Sequence, residues 1–282
     1  MLRASNEFTI HDSRFTIYHS RLTIYQSMFE RFAKRSEQLE LIDKGDYSPE
    51  EYETCIVELQ RVNEWLGDAS ALKHSLLDQV ERLGLDSFAM LDVGAGSGEL
   101  LRVTAAWART NTRHVRLVGV ELNARAATAI LEQSKQFASI RAVRANALQL
   151  PFADDAFDYV VCSLFTHHFN DSDVCLVLRE MARVARRGIL VIDLHRHPVP
   201  YYLFTTIGHL FLHNRLIRAD GALSILRSFT PDELRDLAEQ AGLTNIEVVQ
   251  HFPARIVLSA GRPLPQECQP QPSEPRQWKE QI

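Results

Sequence analysis

Apolar positions fall into two regimes along the chain. From residue 29 to about 83 they recur at three- and four-residue steps, which predicts helices over 29–43, 49–66 and 69–83. In the second of these, Tyr52, Ile56, Leu59, Val62 and Leu66 share one face, and Pro49-Glu50-Glu51 suits a first helical turn. The third run ends at Gly84. From Phe88 onward the pattern changes to short apolar runs at 88–93, 115–121, 140–143, 159–162 and 188–193. Helical patterns at 99–109, 124–137 and 172–184 separate most of them. Strands alternating with helices predict an α/β fold, a mainly parallel sheet covered on both faces. Near-continuous apolar strands are what such doubly covered sheets require. Pro231 then opens a helix to Ala241, and runs at 246–249 and 256–259 follow with a short link, as a terminal antiparallel strand pair. Seven strands are expected in all.

Both ends depart from this pattern. Phe8-Thr9-Ile10-His11-Asp12-Ser13-Arg14 is echoed twice at a period of seven, down to Met28. The adjacent Phe-Thr-Ile positions suit neither a coiled-coil seam nor an amphipathic helix. Residues 1–27 therefore read as a disordered repeat arm, with Met28 as an alternative start and a β-rich partner-binding arm as the competing reading. Residues 261–282 hold five of the eleven prolines and few apolar side chains, and read as a disordered tail. Residues 28–85 then form an N-terminal helical cap and 86–260 the main domain, with an insertion at 195–230.

Composition narrows the function classes. The 282 residues are 45% hydrophobic and 24% charged, with a net charge of −5, which is ordinary for a soluble globular chain and poor for a nucleic-acid binder. Cys55, Cys162, Cys175 and Cys268 form no paired motif, so neither a zinc cluster nor a disulfide framework is expected. The most apolar stretch, 201–212, is too short and too broken to span a membrane, and no signal peptide is visible. A cytoplasmic location is the expectation.

The chemistry is carried by the end of the first strand, Asp92-Val93-Gly94-Ala95-Gly96-Ser97-Gly98. Glycines there let the backbone turn tightly, and the following helix points free N–H groups at a ligand. A dinucleotide loop spaces its glycines as G-x-G-x-x-G. Here the third glycine comes one position early and Glu99 follows, where an acid would repel a pyrophosphate. Glu121 ends the second strand, 25 residues after Gly96, where an acid can accept from both ribose hydroxyls. Asn146-Ala147 precedes Leu150-Pro151-Phe152, and runs at 157–163 and 184–192 follow in order. This combination, over roughly residues 86–260, resembles the class I S-adenosylmethionine (SAM) dependent methyltransferases. The resemblance implies a Rossmann-like fold and SAM as cofactor, held by Asp92, Gly94, Ala95, Gly96, Gly98, Glu121, Leu122, Asn146, Ala147 and Ser163. The family usually places Asp at position 146 to bind the adenine amino group. Asn146 departs from that, though its carbonyl oxygen can still accept the bond.

The acceptor is less legible. Thr166-His167-His168-Phe169 follows the fourth strand and His195-Arg196-His197 the fifth. Both loops border the methyl end of the cofactor, so His168, His167 and His195 are the candidate bases, each also readable as a structural histidine. His195-x-His197 lacks an acid or cysteine at suitable spacing, so no metal is expected. The aromatic run 198–212 reads either as core or as a lid over a lipophilic pocket. Tyr52 and Trp65 are expected to cover the same cleft. The arrangement resembles methyltransferases found beside type III polyketide synthases and the ubiquinone and menaquinone methyltransferases. That implies a small hydrophobic phenolic or quinol-like acceptor, methylated at oxygen ahead of carbon. The competing readings are a non-catalytic binding module of the same fold and a nicotinamide-dependent oxidoreductase.

Overall fold

The computed structural model describes residues 30–261 except 46, 49, 52, 53, 56, 57, 59–65 and 209–211, and leaves the side chain of Ile207 undescribed. The repeat arm, the tail beyond Gly261, Tyr52, Trp65, Leu210 and Phe211 lie outside the described residues.

Seven strands form one sheet: β1 Ser87–Val93, β2 His114–Glu121, β3 Ile140–Arg144, β4 Phe157–Ser163, β5 Ala185–Leu194, β6 Thr244–His251 and β7 Arg255–Gly261. Their order is β3-β2-β1-β4-β5-β7-β6. All neighbours run parallel up to β5, and β7 is antiparallel to both β5 and β6. The order reverses between β1 and β4, so the crevice above their carboxyl ends is where such sheets take a ligand.

Alternation along the strands feeds two cores. On one face Leu91, Val93, Val160, Cys162, Ile189 and Val191 pack against α6 (Asp171–Val184) and α9 (Pro231–Gln240). On the other, Met90, Leu117, Tyr159, Val161, Leu190 and Val257 meet α2 (Asp68–Leu72), α3 (Asp78–Arg82) and α4 (Glu99–Thr110). Fully burying one such side chain contributes roughly 1.5–3 kcal/mol, which makes these two layers the main source of stability. Helix α5 (Ala124–Gln133) covers β2 and β3, with Ile130 buried beneath it. Thr230 closes a capping box with Glu233 at the start of α9, worth about 1 kcal/mol.

The N-terminal cap departs from expectation. The described residues 30–43 do not form one helix: turns and extended chain lead into a single turn, α1 (Leu41–Lys44). Tertiary polar contacts override the apolar spacing. Ser36 N donates to Leu226 O, and Arg35 donates to Arg227 O and Phe169 O. The described residues between 50 and 58 are helical. The predicted helix 69–83 is α2 and α3 joined through a π turn, Lys73–Leu77.

The insertion also differs. The aromatic run is a short helix, α7 (Pro198–Leu203), passing into a π turn at Phe204–Gly208. A further helix, α8 (Arg215–Arg227), follows, and the sequence pattern did not predict it. Its apolar residues occupy no single stripe because it is wrapped on several sides. Asp220 is buried and accepts from Leu41 N and Ile42 N, while Gly221 lets Phe204 approach so closely that a Cβ there would stand 2.2 Å from the ring.

Candidate functional site

The glycine loop leaves β1 through three left-handed residues, Gly94 (φ 68°), Gly96 (φ 54°) and Gly98 (φ 82°). Gly94 N and Ala95 N donate to Val120 O, which ties the turn to β2. Space beyond Gly96 is open, with nothing within 4 Å of where a Cβ would be. Gly94 is covered by the Phe165 ring, which a Cβ would meet at 2.2 Å.

Three acids surround this loop. Glu121 Oε1 accepts from Gly96 N at 2.6 Å. Asp92 is 2% exposed, and burial together with the charges of Glu121 and Glu99 pushes its carboxyl well above the usual range. Burial likewise raises Glu121, against the hydrogen bonds from Gly96, Leu122 and Asn123. An open backbone cradle ringed by crowded carboxylates fits a ligand that brings positive charge and hydroxyl donors. It opposes a pyrophosphate, which removes the physical basis of the nicotinamide reading.

The remaining sequence-predicted cofactor residues are placed unevenly around the cradle. Leu122 is 64% exposed beside Glu121. Ala147 is buried, and Asn146 is exposed with Oδ1 accepting from Leu148 N at 3.0 Å. Asn146 therefore shapes its own turn with the oxygen expected to read adenine, although a second lone pair remains. Ser163 Oγ donates to Asp68 Oδ2 at 3.2 Å, a link from β4 to α2.

The histidines separate into two groups. His167 and His168 lie on a single 3₁₀ turn, Thr166–His168, with ring centroids 4.3 Å apart. His167 is buried, and its Nδ1 is 2.6 Å from Asp193 Oδ1. Asp193 also accepts from Thr166 Oγ1 at 2.5 Å, and these partners overcome its burial to hold its pKa at about 2. His168 is 27% exposed, with Nδ1 3.1 Å from Asp43 Oδ1. A carboxylate on Nδ1 assigns the proton to that nitrogen and leaves Nε2 free to accept one. His195 sits apart: its backbone N donates to Ala254 O, its ring lies 5.1 Å from His197, and burial lowers its pKa. His197 caps α7 through Val199 N.

Sequence spacing missed the partners of these histidines. Glu40 and Asp43 come from the segment expected to be plain helix, and Arg227 from the unpredicted α8. Glu40 is 3% exposed, and burial raises its pKa to about 7. Among the described residues, one donor atom from each of Glu40, His167 and His168 lies within 4.8 Å of the others, close enough to share a cation. Arg227 Nε already stands 3.7 Å from Glu40 Oε1 and supplies positive charge there. Asp193 alone carried a signal in sequence, as an acid at a strand end.

Comparisons with known proteins agree with this geometry. Residues 91–192 match the family described as a methyltransferase domain. A demethylmenaquinone methyltransferase from Roseiflexus castenholzii is 31% identical over 173 residues, covering 55% of this chain and 68% of that protein. The chain belongs to the class I SAM-dependent methyltransferases. SAM is accordingly its cofactor. Another demethylmenaquinone methyltransferase, from Roseiflexus sp. strain RS-1, is 33% identical over 153 residues, or 51% of this chain, and the match spans 59% of that relative's length. The CurJ carbon methyltransferase shares the fold, with TM-score 0.57 and 11% identity over 86% of this chain and 69% of that one. Among the described residues, no helix of this family member is long and apolar enough to cross a membrane.

Proposed function

We propose that the protein methylates a small hydrophobic acceptor carrying an acidic hydroxyl, of phenol or quinol type, at the oxygen. The observation that carries this reading is the His168–Asp43 pair. His168 is partly exposed and is oriented by a carboxylate 3.1 Å away. When bound, SAM supplies a methyl group on a positively charged sulfur. Glu121 accepts from the ribose hydroxyls, and the glycine backbone leaves room for the nucleoside. His168 Nε2 takes the proton from the acceptor hydroxyl, and Asp43 stabilises the imidazolium that results. His167, locked on Asp193, fixes the turn that carries His168.

The acceptor's hydrophobic character is supported by the insertion. Phe32 stands edge-on to Tyr201 at 5.3 Å and to Tyr202 at 6.2 Å, and Arg31 donates to the Tyr201 hydroxyl. An aromatic cluster on the insertion after β5 suits an aromatic ring more than a sugar or a peptide. Relatives named demethylmenaquinone methyltransferase point the same way. The test is methyl transfer from labelled SAM to a panel of phenols and reduced quinones, with the site of methylation read by mass spectrometry and NMR. A methyl ether is expected. A ring-methylated product would move the reading to carbon, and no transfer to any phenolic acceptor would overturn it.

A further inference from the structure

Arg196, Arg227 and Arg255 are buried arginines whose surroundings differ. Arg196 uses all three guanidinium nitrogens, on Phe32 O, Ser228 O and Glu233. Arg227 does the same, on His167 O, Gln38 O and His168 O. Arg255 is 1% exposed and donates only through Nε, to Asp68, while Nη1 and Nη2 have no partner among the described residues. A purely structural arginine follows the first two cases, because a guanidinium has five N–H groups and each one left bare in the interior is costly. One ion-pair contact to Asp68 does not discharge that cost.

The place of Arg255 gives these bare groups a use. It opens β7 opposite Leu194, the last residue of β5, so it stands at the carboxyl edge of the parallel sheet. Its partner Asp68 also accepts from Ser163, the last residue of β4. The Asp68–Arg255 pair therefore reaches across β5 to the strand that borders the glycine loop. Two parallel N–H donors at that point match the two oxygens of a carboxylate.

We infer that Arg255 is a ligand-binding residue whose Nη1 and Nη2 receive a carboxylate at the ends of β4 and β5. This rests on the methyltransferase reading of the crevice. Two molecules can bring that carboxylate there: the methionine end of the cofactor or an acidic acceptor. Arg255 lies outside residues 91–192, which match the methyltransferase domain. Asp68 keeps the guanidinium in place and neutralises it before the ligand arrives.

The test is calorimetric titration of the full chain and its Arg255→Met variant with three probes: S-adenosylhomocysteine, 5′-methylthioadenosine (the same nucleoside without the amino-acid carboxylate), and 4-hydroxybenzoate. A loss of at least about tenfold in S-adenosylhomocysteine affinity, with methylthioadenosine unchanged, assigns the site to the cofactor. Unchanged S-adenosylhomocysteine affinity with lost hydroxybenzoate binding assigns it to the acceptor. Arg255→Met strands Asp68, so Asp68→Leu/Arg255→Met is measured beside it. The double variant is expected to regain the wild-type melting temperature and to keep the same loss of affinity. If a variant with wild-type melting binds all three probes as the wild type does, the inference fails and the cofactor reading stands. A folded wild-type chain that binds no probe overturns both.

Discussion

Glu121 Oε1 accepts from Gly96 N at 2.6 Å, so the acid expected to read the ribose also fastens the glycine loop to the end of β2. One carboxylate thus shapes the cradle and is itself held there by the backbone of Gly96, Leu122 and Asn123. Glu121→Ala is expected to weaken S-adenosylhomocysteine binding by about 1–3 kcal/mol, the usual cost of stranding hydrogen-bonding groups. Calorimetry checks this, and unchanged affinity would place the ribose elsewhere.

Gly96→Val tests the open face of the loop. The side chain would enter the space beyond Gly96 and force a β-branched residue into φ 54°. Binding of S-adenosylhomocysteine is expected to be lost while the fold persists, as judged by circular dichroism. Near-normal affinity would contradict the assignment of the motif.

Gly94→Ala tests the covered face. Its Cβ would stand 2.2 Å from Phe165 Cδ2, so the ring must leave. A lower melting temperature is expected, and part of it should return in Gly94→Ala/Phe165→Ala. The remainder is the strain of a left-handed alanine, on the order of 1 kcal/mol.

His168→Gln should lower kcat by about 10²–10⁴-fold and leave S-adenosylhomocysteine affinity nearly unchanged. Asp43→Asn should give a smaller loss with a shifted pH profile. His167→Gln is expected to act differently, mainly through stability, because it leaves the buried Asp193 without its main partner. Equal effects from both histidines on kcat alone would contradict this division.

Glu40 sets a pH dependence of stability. Its folded pKa, about 7, lies above the ordinary 4.5, so the fold favours the neutral carboxyl. That contribution is full below about pH 4.5 and is lost as pH rises through 7, amounting to roughly 1–3 kcal/mol. Glu40→Gln should therefore match the wild type near pH 4 and exceed it at pH 8 in denaturant melts. Asp193 runs the other way: held at about 2, it stabilises the fold above its ordinary 3.8 and fails as pH falls through 2.

The sheet was legible because the central parallel strands β1, β4 and β5 are buried on both faces, and few sequence patterns other than short apolar runs meet that demand. Gly94, Gly96, Gly98 and Glu121 were legible for a similar reason: their spacing along one strand–helix–strand unit is local. Glu40 and Asp43 were not. They reach the histidine turn across more than a hundred residues, from a segment whose apolar spacing imitates a helix. Helix α8 was hidden because Asp220 and Arg227 are buried for polar reasons and Gly221 makes room for Phe204, which erases the apolar stripe. The Asp68–Arg255 pair joins the two ends of the domain and leaves no trace in local pattern.

The most direct measurement is calorimetric titration of S-adenosylhomocysteine into the full chain near neutral pH. Binding at a ratio of about one, micromolar or tighter, together with no heat from NAD at the same concentration, is the predicted result. A folded sample that binds NAD, or binds neither ligand, would contradict the reading of the acid-ringed glycine loop as a SAM cradle.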